Sequence, residues 1–475
     1  MTDRASFHWR GAAMALLTGF LSFFSFFADP EGEPSQIRWL LLVLGAMSLF
    51  YLLAALTAAR TNSGVKLRDV LFWAAIFRLL LLPSLPILET DYYRYLWDGY
   101  VLTKGVNPYR YSPAQIIRAV ESDPSIPQDD PKLRRIVDET RKYDKARAVL
   151  EEVNNPDLHT IYPPFAQILF GVSSLMAPLS IYGWRFVVLF FDFALIAALI
   201  LLLRRLAMPP VFVAYYAWSP LVLKEYINTL HCDGIALSGL FLGILFSLAS
   251  YPRRSAAAFA SAGLMKIFPA LLLPFWTKKW PWKAWLIWIG TTAILIFPFF
   301  GVVGHSLKSA AAFANYWESN SGLVAGLEWT LSRLGLPEWG TGRRLFSIAG
   351  VDCAFDAFFV AKAILLGCFF GLFIFLMYRF IREKEASTER RMRWTFQLVG
   401  AMILCSPVCN PWYIAWCVPF LCFYPSAAWI YLSLSSFVYY SYFLSDPWGF
   451  PAWSRALEYG PFFLLWLWEA WRKKQ

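Results

Sequence analysis

The sequence predicts an all-α polytopic membrane protein with about 12 full crossings, helices lying along the membrane surface and two large extracytoplasmic loops. Three observations carry this. The chain has 475 residues, of which 58% are hydrophobic and only 16% charged. Its apolar residues come in continuous blocks of about 20, the length that spans a hydrocarbon core. Between the blocks lie short basic segments, the pattern that sets orientation in a membrane. A β-barrel would need short alternating segments, and these runs do not alternate.

The blocks follow in order. Gly11–Ala28 lacks a small-residue cleavage site and is followed by further spans, so it reads as a retained helix and not a removed signal. Ile37–Ala58 and Asp69–Leu88 are the next two crossings. The loop "DPEGEPSQ" after the first block is acidic. "ARTNSGVKLR", "YPRR", "TKKWPWK", Arg379–Arg393 and the tail "WRKKQ" are basic. Basic loops stay in the cytoplasm, which puts both termini inside and the end of the third block outside. Phe165–Leu179 must then lie at the outer interface, because only Phe186–Leu203 fits as a crossing before Arg204 and Arg205. Ala256–Trp276 joins two basic loops, so it enters and returns as a broken pair with its break near "KIFP". The remaining spans fall near 211–226, 231–250, 283–303, 353–379, 395–409, 411–424, 427–444 and 457–472. No repeat or low-complexity linker divides the chain. Residues 1–475 read as one membrane domain with outer loops at 89–184 and 304–352.

Composition also excludes classes. The net charge of +11 suggests nucleic acid, but the basic residues sit in loops between spans, where they orient the chain. The seven cysteines show no zinc-like spacing. Cys405, Cys409, Cys417 and Cys422 lie in or beside apolar helices, where Cys is a small hydrophobe. There is no Walker A motif, no Ser-His-Asp spacing and no Cys or His metal cluster, so ATP-driven transport within this chain is excluded.

The first outer loop opens with "ETDYYRYLWDGYVLTKGVNPYRYSP". Thr90 can cap a helix that starts at Asp91 and stops at Gly105, with Asn107 in the turn beyond. Asp91, Tyr95 and Asp98 then share one face, and Arg94 can reach either aspartate. Asp91 is either a favourable first-turn charge or a proton acceptor that the helix N-terminus keeps ionised. Asp98 either joins it or pairs only with Arg94. The charged stretch after it, Ala114–His159, reads as a solvated helical cap over a groove, and His159 as a turn residue or a site residue before "TIYPPF".

Other residues point to the same face. "INTLHCDG" puts His231 and Asp233 at the outer start of a helix; Asp233 is either an N-cap or part of a site. Lys224 and Glu225, one turn earlier, read as a pair. Lys266 is a cation inside "SAGLMKIFPALLLPFW" and either snorkels or meets an anionic partner at the break. His305, "NYWESN", Trp329 and Arg343–Arg344 belong to the second outer loop. "SPVCNPWYIAW" puts Asn410, Trp412 and Tyr413 at another outer turn.

These stretches, with "YPPF", "HCDG", "LMKIFPALLLPF" and "NPWYIAW", resemble the GT-C superfamily of integral-membrane glycosyltransferases. The nearest likeness is to the polyprenol-phosphate-mannose-dependent mannosyltransferases of glycosyltransferase family 87. The resemblance implies a carboxylate of the first outer loop as general base, which falls on Asp91, and a phosphate-binding lysine in the broken helix, which falls on Lys266. His231 and Asp233, then Arg94, Tyr95 and Asp98, then Asn107, Tyr162 and Trp412 are the further candidates for holding donor and acceptor. Where relatives carry His, this sequence has Asn410. The implied reaction is inverting transfer of a sugar, mannose first, from a polyprenyl-phosphate donor to an extracytoplasmic glycolipid or glycan at the plasma (inner) membrane. No cofactor is needed; a divalent metal is permitted but not required. The competing class is a lipid-linked sugar flippase or transporter, which would line a mid-membrane path with polar groups.

Overall fold

Apolar length and proline position together decide which segments become long helices. A computed structural model describes residues 2–29, 32–60, 63–122, 130–302, 304–383, 386–445 and 449–472. Parts of the charged segments from which orientation is expected, Pro30–Glu31, Lys384–Glu385 and Lys473–Gln475, and residues 123–129 of the charged stretch after the helix Asp91–Thr103, lie outside the described residues.

The chain is mostly helical. Among the described residues, Pro34–Ala58, Ile181–Arg205, Trp282–Phe299 and Ala357–Arg382 are long and apolar enough to cross a membrane. A fifth candidate is the pair Pro220–Asn228 and Asp233–Leu248, bent by 113°. The helices Asp3–Phe24, Leu67–Leu81, Thr388–Leu404 and Ala452–Arg472 pack around these. Three segments expected as straight crossings are not straight. Residues 211–226 form short turns from Pro210–Val213 to a π-helical turn at Leu223–Asn228, residues 411–424 form Pro411–Ile414, Ala415–Cys417 and Val418–Leu421, and Ala427–Ser435 continues as a 3₁₀ helix, Ser436–Leu444. For the first two the reason is Pro209, Pro210, Pro220, Pro411 and Pro419, which cannot donate to the helix ladder.

Residues 304–352 depart from an all-α reading. Arg343–Ile348 pairs antiparallel with Val351–Phe355. Ala349 and Gly350 both have left-handed φ, 52° and 81°, which closes a two-residue hairpin. Arg343 and Arg344 stand exposed on it, and Arg344 pairs with Asp352 at 3.0 Å.

Two expected features do form. Phe165–Leu179 appears as the helix Pro164–Met176. Ala256–Trp276 appears as Pro252–Gly263, then a non-helical step carrying Lys266, then Phe268–Leu272 and Pro274–Thr277. Ending the first helix frees its last carbonyls, and Leu264 O accepts the Phe165 N–H at 3.0 Å. That bond ties the Lys266 step to the "TIYPPF" turn. The helix Asp91–Thr103 lies hard against Pro164–Met176 because Gly99 has no side chain: a Cβ there would sit 2.2 Å from the Phe170 carbonyl oxygen. The Ser306 Oγ–H donates to Thr160 O at 2.7 Å, joining the helix His305–Tyr316 to the "TIYPPF" turn.

Candidate active site

The site begins with a capping problem. The first N–H groups of the helix Asp91–Thr103 need acceptors. Thr90 stands at the cap position, but its side chain makes no capping bond. Glu89 replaces it: Oε1 accepts from Thr90 N at 2.9 Å and from Asp91 N at 2.7 Å. Its other oxygen lies 3.0 Å from His231 Nε2. The His231 ring is buried and stacked on Trp412, with centroids 4.0 Å apart and planes 20° apart. One carboxylate therefore links the start of the helix to the core.

Asp91 is the next group outward. Asn154 Nδ2 donates to its Oδ1 at 2.6 Å, and the Tyr162 hydroxyl lies 3.3 Å from its Oδ2. Tyr95 sits behind, its hydroxyl 3.2 Å from that of Tyr162. Burial lifts Asp91 above the ordinary carboxylate range, and the Glu89 charge beside it adds to the rise. The helix N-terminus was expected to favour the ionised form; burial and Glu89 outweigh it. Glu89 goes the other way: burial opposes ionisation, but the facing His231 holds it below its usual value. The two neighbouring carboxylates are thus pushed apart, and Asp91 is the one moved toward accepting a proton.

Lys266 supplies the cation. It stands in the helix break, with Nζ 3.3 Å from Asp233 Oδ1. The same oxygen accepts the Trp416 Nε1–H at 2.8 Å. The ammonium also faces the Tyr162 and Tyr413 rings at 5.7 and 5.3 Å. Asp91, Tyr162, Lys266 and Trp412, with Glu318 and Asn410, line one cavity of about 820 Å3.

Not every expected residue reaches that cavity. Asp98 does not pair with Arg94; it is buried and accepts from Gln167 Nε2 at 3.0 Å. Arg94 lines the cavity, but its guanidinium donates to the carbonyls of Asn154, Asn155 and Leu158 at 3.0, 3.1 and 3.2 Å and to neither aspartate. The packing brings three main-chain carbonyls to the guanidinium and turns Asp98 to Gln167 instead. Asn107 turns away, its Nδ2 donating to Pro298 O at 3.4 Å. Tyr95, His231 and Asp233 act from behind the wall. Lys224 and Glu225 do not pair with each other. They meet through Tyr440, whose hydroxyl accepts from Lys224 Nζ at 2.8 Å and donates to Glu225 Oε1 at 2.7 Å. Arg343 and Arg344 are not part of the cavity wall.

His159 is more than a turn residue: it lines the cavity, and its ring meets that of His305 edge-on at 5.3 Å. Glu318 and Trp317 of "NYWESN", aromatic beside carboxylate in the sequence, line the cavity as well; Asn154 is the residue no sequence signal points to. "NNPD" signals a turn, but nothing in it says that Asn154 meets Asp91. Among the described residues, no group of three or more His, Cys, Asp or Glu side chains is arranged to hold a metal ion. Chemically, the cavity offers a proton acceptor, a cation with aromatic flanks for an anion, and rings on which a sugar face can rest.

The model for the N-terminal domain of alpha-(1->6)-mannopyranosyltransferases matches residues 9–126, which carry Glu89 and Asp91. The model for glycosyltransferase family 87 matches residues 160–407, which carry Tyr162, His231, Asp233, Lys266 and Glu318. No curated protein and no solved structure matches the chain. The second match alone spans just over half of the chain. With its apolar helices and its cavity, the chain is a membrane-integral glycosyltransferase and belongs to glycosyltransferase family 87.

Proposed function

We propose that this protein is an inverting mannosyltransferase that moves mannose from a polyprenyl-phosphate donor to an extracytoplasmic glycolipid or glycan. The supporting observation is that Asp91 and Lys266 line the same cavity, each fixed by its own partners. In this reading the acceptor hydroxyl attacks the anomeric carbon. Its proton passes to Asp91, and the carbon–oxygen bond to the phosphate breaks. Polyprenyl phosphate leaves with the bonding electrons, and Lys266 neutralises the charge that develops on it. A single displacement inverts the anomeric centre. The similarity of residues 9–126 to alpha-(1->6)-mannopyranosyltransferases supports mannose as the sugar.

The same proposal includes a GT-C arrangement of about 12 crossings in one domain, both termini in the cytoplasm, and a plasma (inner) membrane location with the cavity facing out. The flippase reading has less support. Arg78 and Asp192, ionisable groups of the apolar interior, close on each other at 2.5 Å, with the Tyr216 hydroxyl donating to Asp192 at 2.7 Å. Neither lines the cavity.

The test is Asp91→Asn, which keeps size but cannot take a proton. Turnover should fall roughly 10²–10⁴-fold while donor binding survives. Asp98→Asn is the control, since Asp98 is buried behind the wall, where it meets Gln167 and Thr160. Near-normal transfer by Asp91→Asn, or loss of transfer from Asp98→Asn alone, would overturn the assignment of the base.

A further inference from the structure

One wall of the cavity is not used by the proposed chemistry. It is built where the second outer loop meets the turn before Pro411. Ser319 N donates to Pro407 O at 3.0 Å and Cys409 N to Ser319 O at 2.8 Å, a short parallel bridge between distant segments. Asn320 reinforces it: Nδ2 donates to Cys409 O at 3.2 Å and to the buried Glu458 at 3.1 Å. The Tyr459 hydroxyl donates to Asn320 O at 2.7 Å. The wall is therefore held on both sides before any ligand arrives.

Its polar groups are few and specific. Glu318 accepts from Arg455 Nη2 at 3.0 and 2.9 Å and from the Ser321 hydroxyl at 2.6 Å. Arg455 holds Glu318 through Nη2 and does not itself line the cavity. The Glu318 side chain stays 14% exposed and lines the cavity. Asn410 also lines it, is only 8% exposed, and its Oδ1 meets no donor among the described residues. A buried amide oxygen without a donor is costly unless a ligand supplies one. Around these stand rings in series: Trp412 to Tyr439 at 6.0 Å, Tyr439 to Phe450 at 5.8 Å, Phe450 to Tyr442 at 5.0 Å.

We propose that the wall of Trp317, Glu318, Asn410, Tyr439, Tyr442 and Phe450 is an acceptor subsite that takes an uncharged, hydroxyl-bearing sugar ring. The inference rests on the transfer reading above and names the acceptor's class. Glu318 and Asn410 Oδ1 accept hydroxyl protons, and the rings cover the apolar face of the sugar. A uronate or phosphate at this position would meet the Glu318 carboxylate, which lines the cavity while its Arg455 partner does not. The anionic substrate group belongs at Lys266, which is held against Asp233, Tyr162 and Tyr413 instead.

The test uses the full chain in lipid nanodiscs, read by tryptophan fluorescence. The probes are octyl mannoside, octyl glucuronide and farnesyl phosphate. Octyl mannoside should bind saturably, and Glu318→Gln and Asn410→Leu should each weaken it about tenfold, the worth of one strong hydrogen bond. Farnesyl phosphate affinity should not change in either variant. If octyl glucuronide binds more tightly than octyl mannoside, or if both variants bind the mannoside as wild type does, the inference fails. Should Glu318→Gln unfold the chain by releasing Arg455, Asn410→Leu decides alone. If wild type fails to bind farnesyl phosphate but binds the mannoside with this sensitivity, the donor reading falls and the subsite stands.

Discussion

Lys266 Nζ lies 3.3 Å from Asp233 Oδ1, and that oxygen also accepts the Trp416 N–H. The cation is thus countered and aimed before a ligand arrives, yet its side chain remains 18% exposed and lines the cavity. An ammonium in an apolar segment needs an anion, and Asp233 meets that need in the resting protein. Asp233 Oδ2 has no partner among the described residues, so the pair is not closed on itself.

Lys266→Met should weaken binding of a polyprenyl phosphate by about tenfold or more, the loss of one charge-assisted contact. Titration of the purified variant with farnesyl phosphate measures it. Unchanged affinity would show that another cation holds the phosphate.

Activity should fall on the acid side at a pH above the ordinary carboxylate range. The base must be deprotonated to work, and burial with the Glu89 charge lifts Asp91. Asn154 donates to the ionised form and so pulls the other way. Asn154→Ala should therefore move the acid limb of kcat/KM to higher pH. A limb that stays in place, or moves to lower pH, would show that Asp91 is not the titrating group.

Gly99→Ala should destabilise the protein by roughly 1–3 kcal/mol, because overpacking forces the backbone apart. The added Cβ would meet the Phe170 carbonyl at 2.2 Å and push the helix that carries Asp91 off its neighbour. A lower thermal midpoint together with reduced turnover is expected. A variant as stable and active as wild type would mean the two helices do not approach this closely.

Orientation is tested by labelling with a membrane-impermeant maleimide in a background without native cysteines. Cysteine at the exposed position Glu338 should react from outside, and cysteine at the exposed position Arg390 should not. The reverse pattern would invert the topology.

The sequence alone was enough for the membrane class, through apolar run length and proline punctuation, which are local quantities. It was also enough to single out Asp91, at the start of a helix after an apolar run, and Lys266, at a break next to Pro269. Both lie where the backbone changes direction, and that is visible in neighbouring residues. The helical reading failed where strand pairing decided, at the hairpin closed by Ala349 and Gly350. Partner choice belonged to the tertiary structure. Asn154 meets Asp91 across 63 positions, Gln167 takes Asp98 across 69, and Trp416 reaches Asp233 across 183. Arg94 illustrates the reason. Helical spacing puts it within reach of two aspartates, but three carbonyls of a distant turn are packed against it and accept its N–H groups. A buried donor goes to whichever acceptor the packing brings to it, and that depends on which segments meet in space and not on how far apart they lie along the chain.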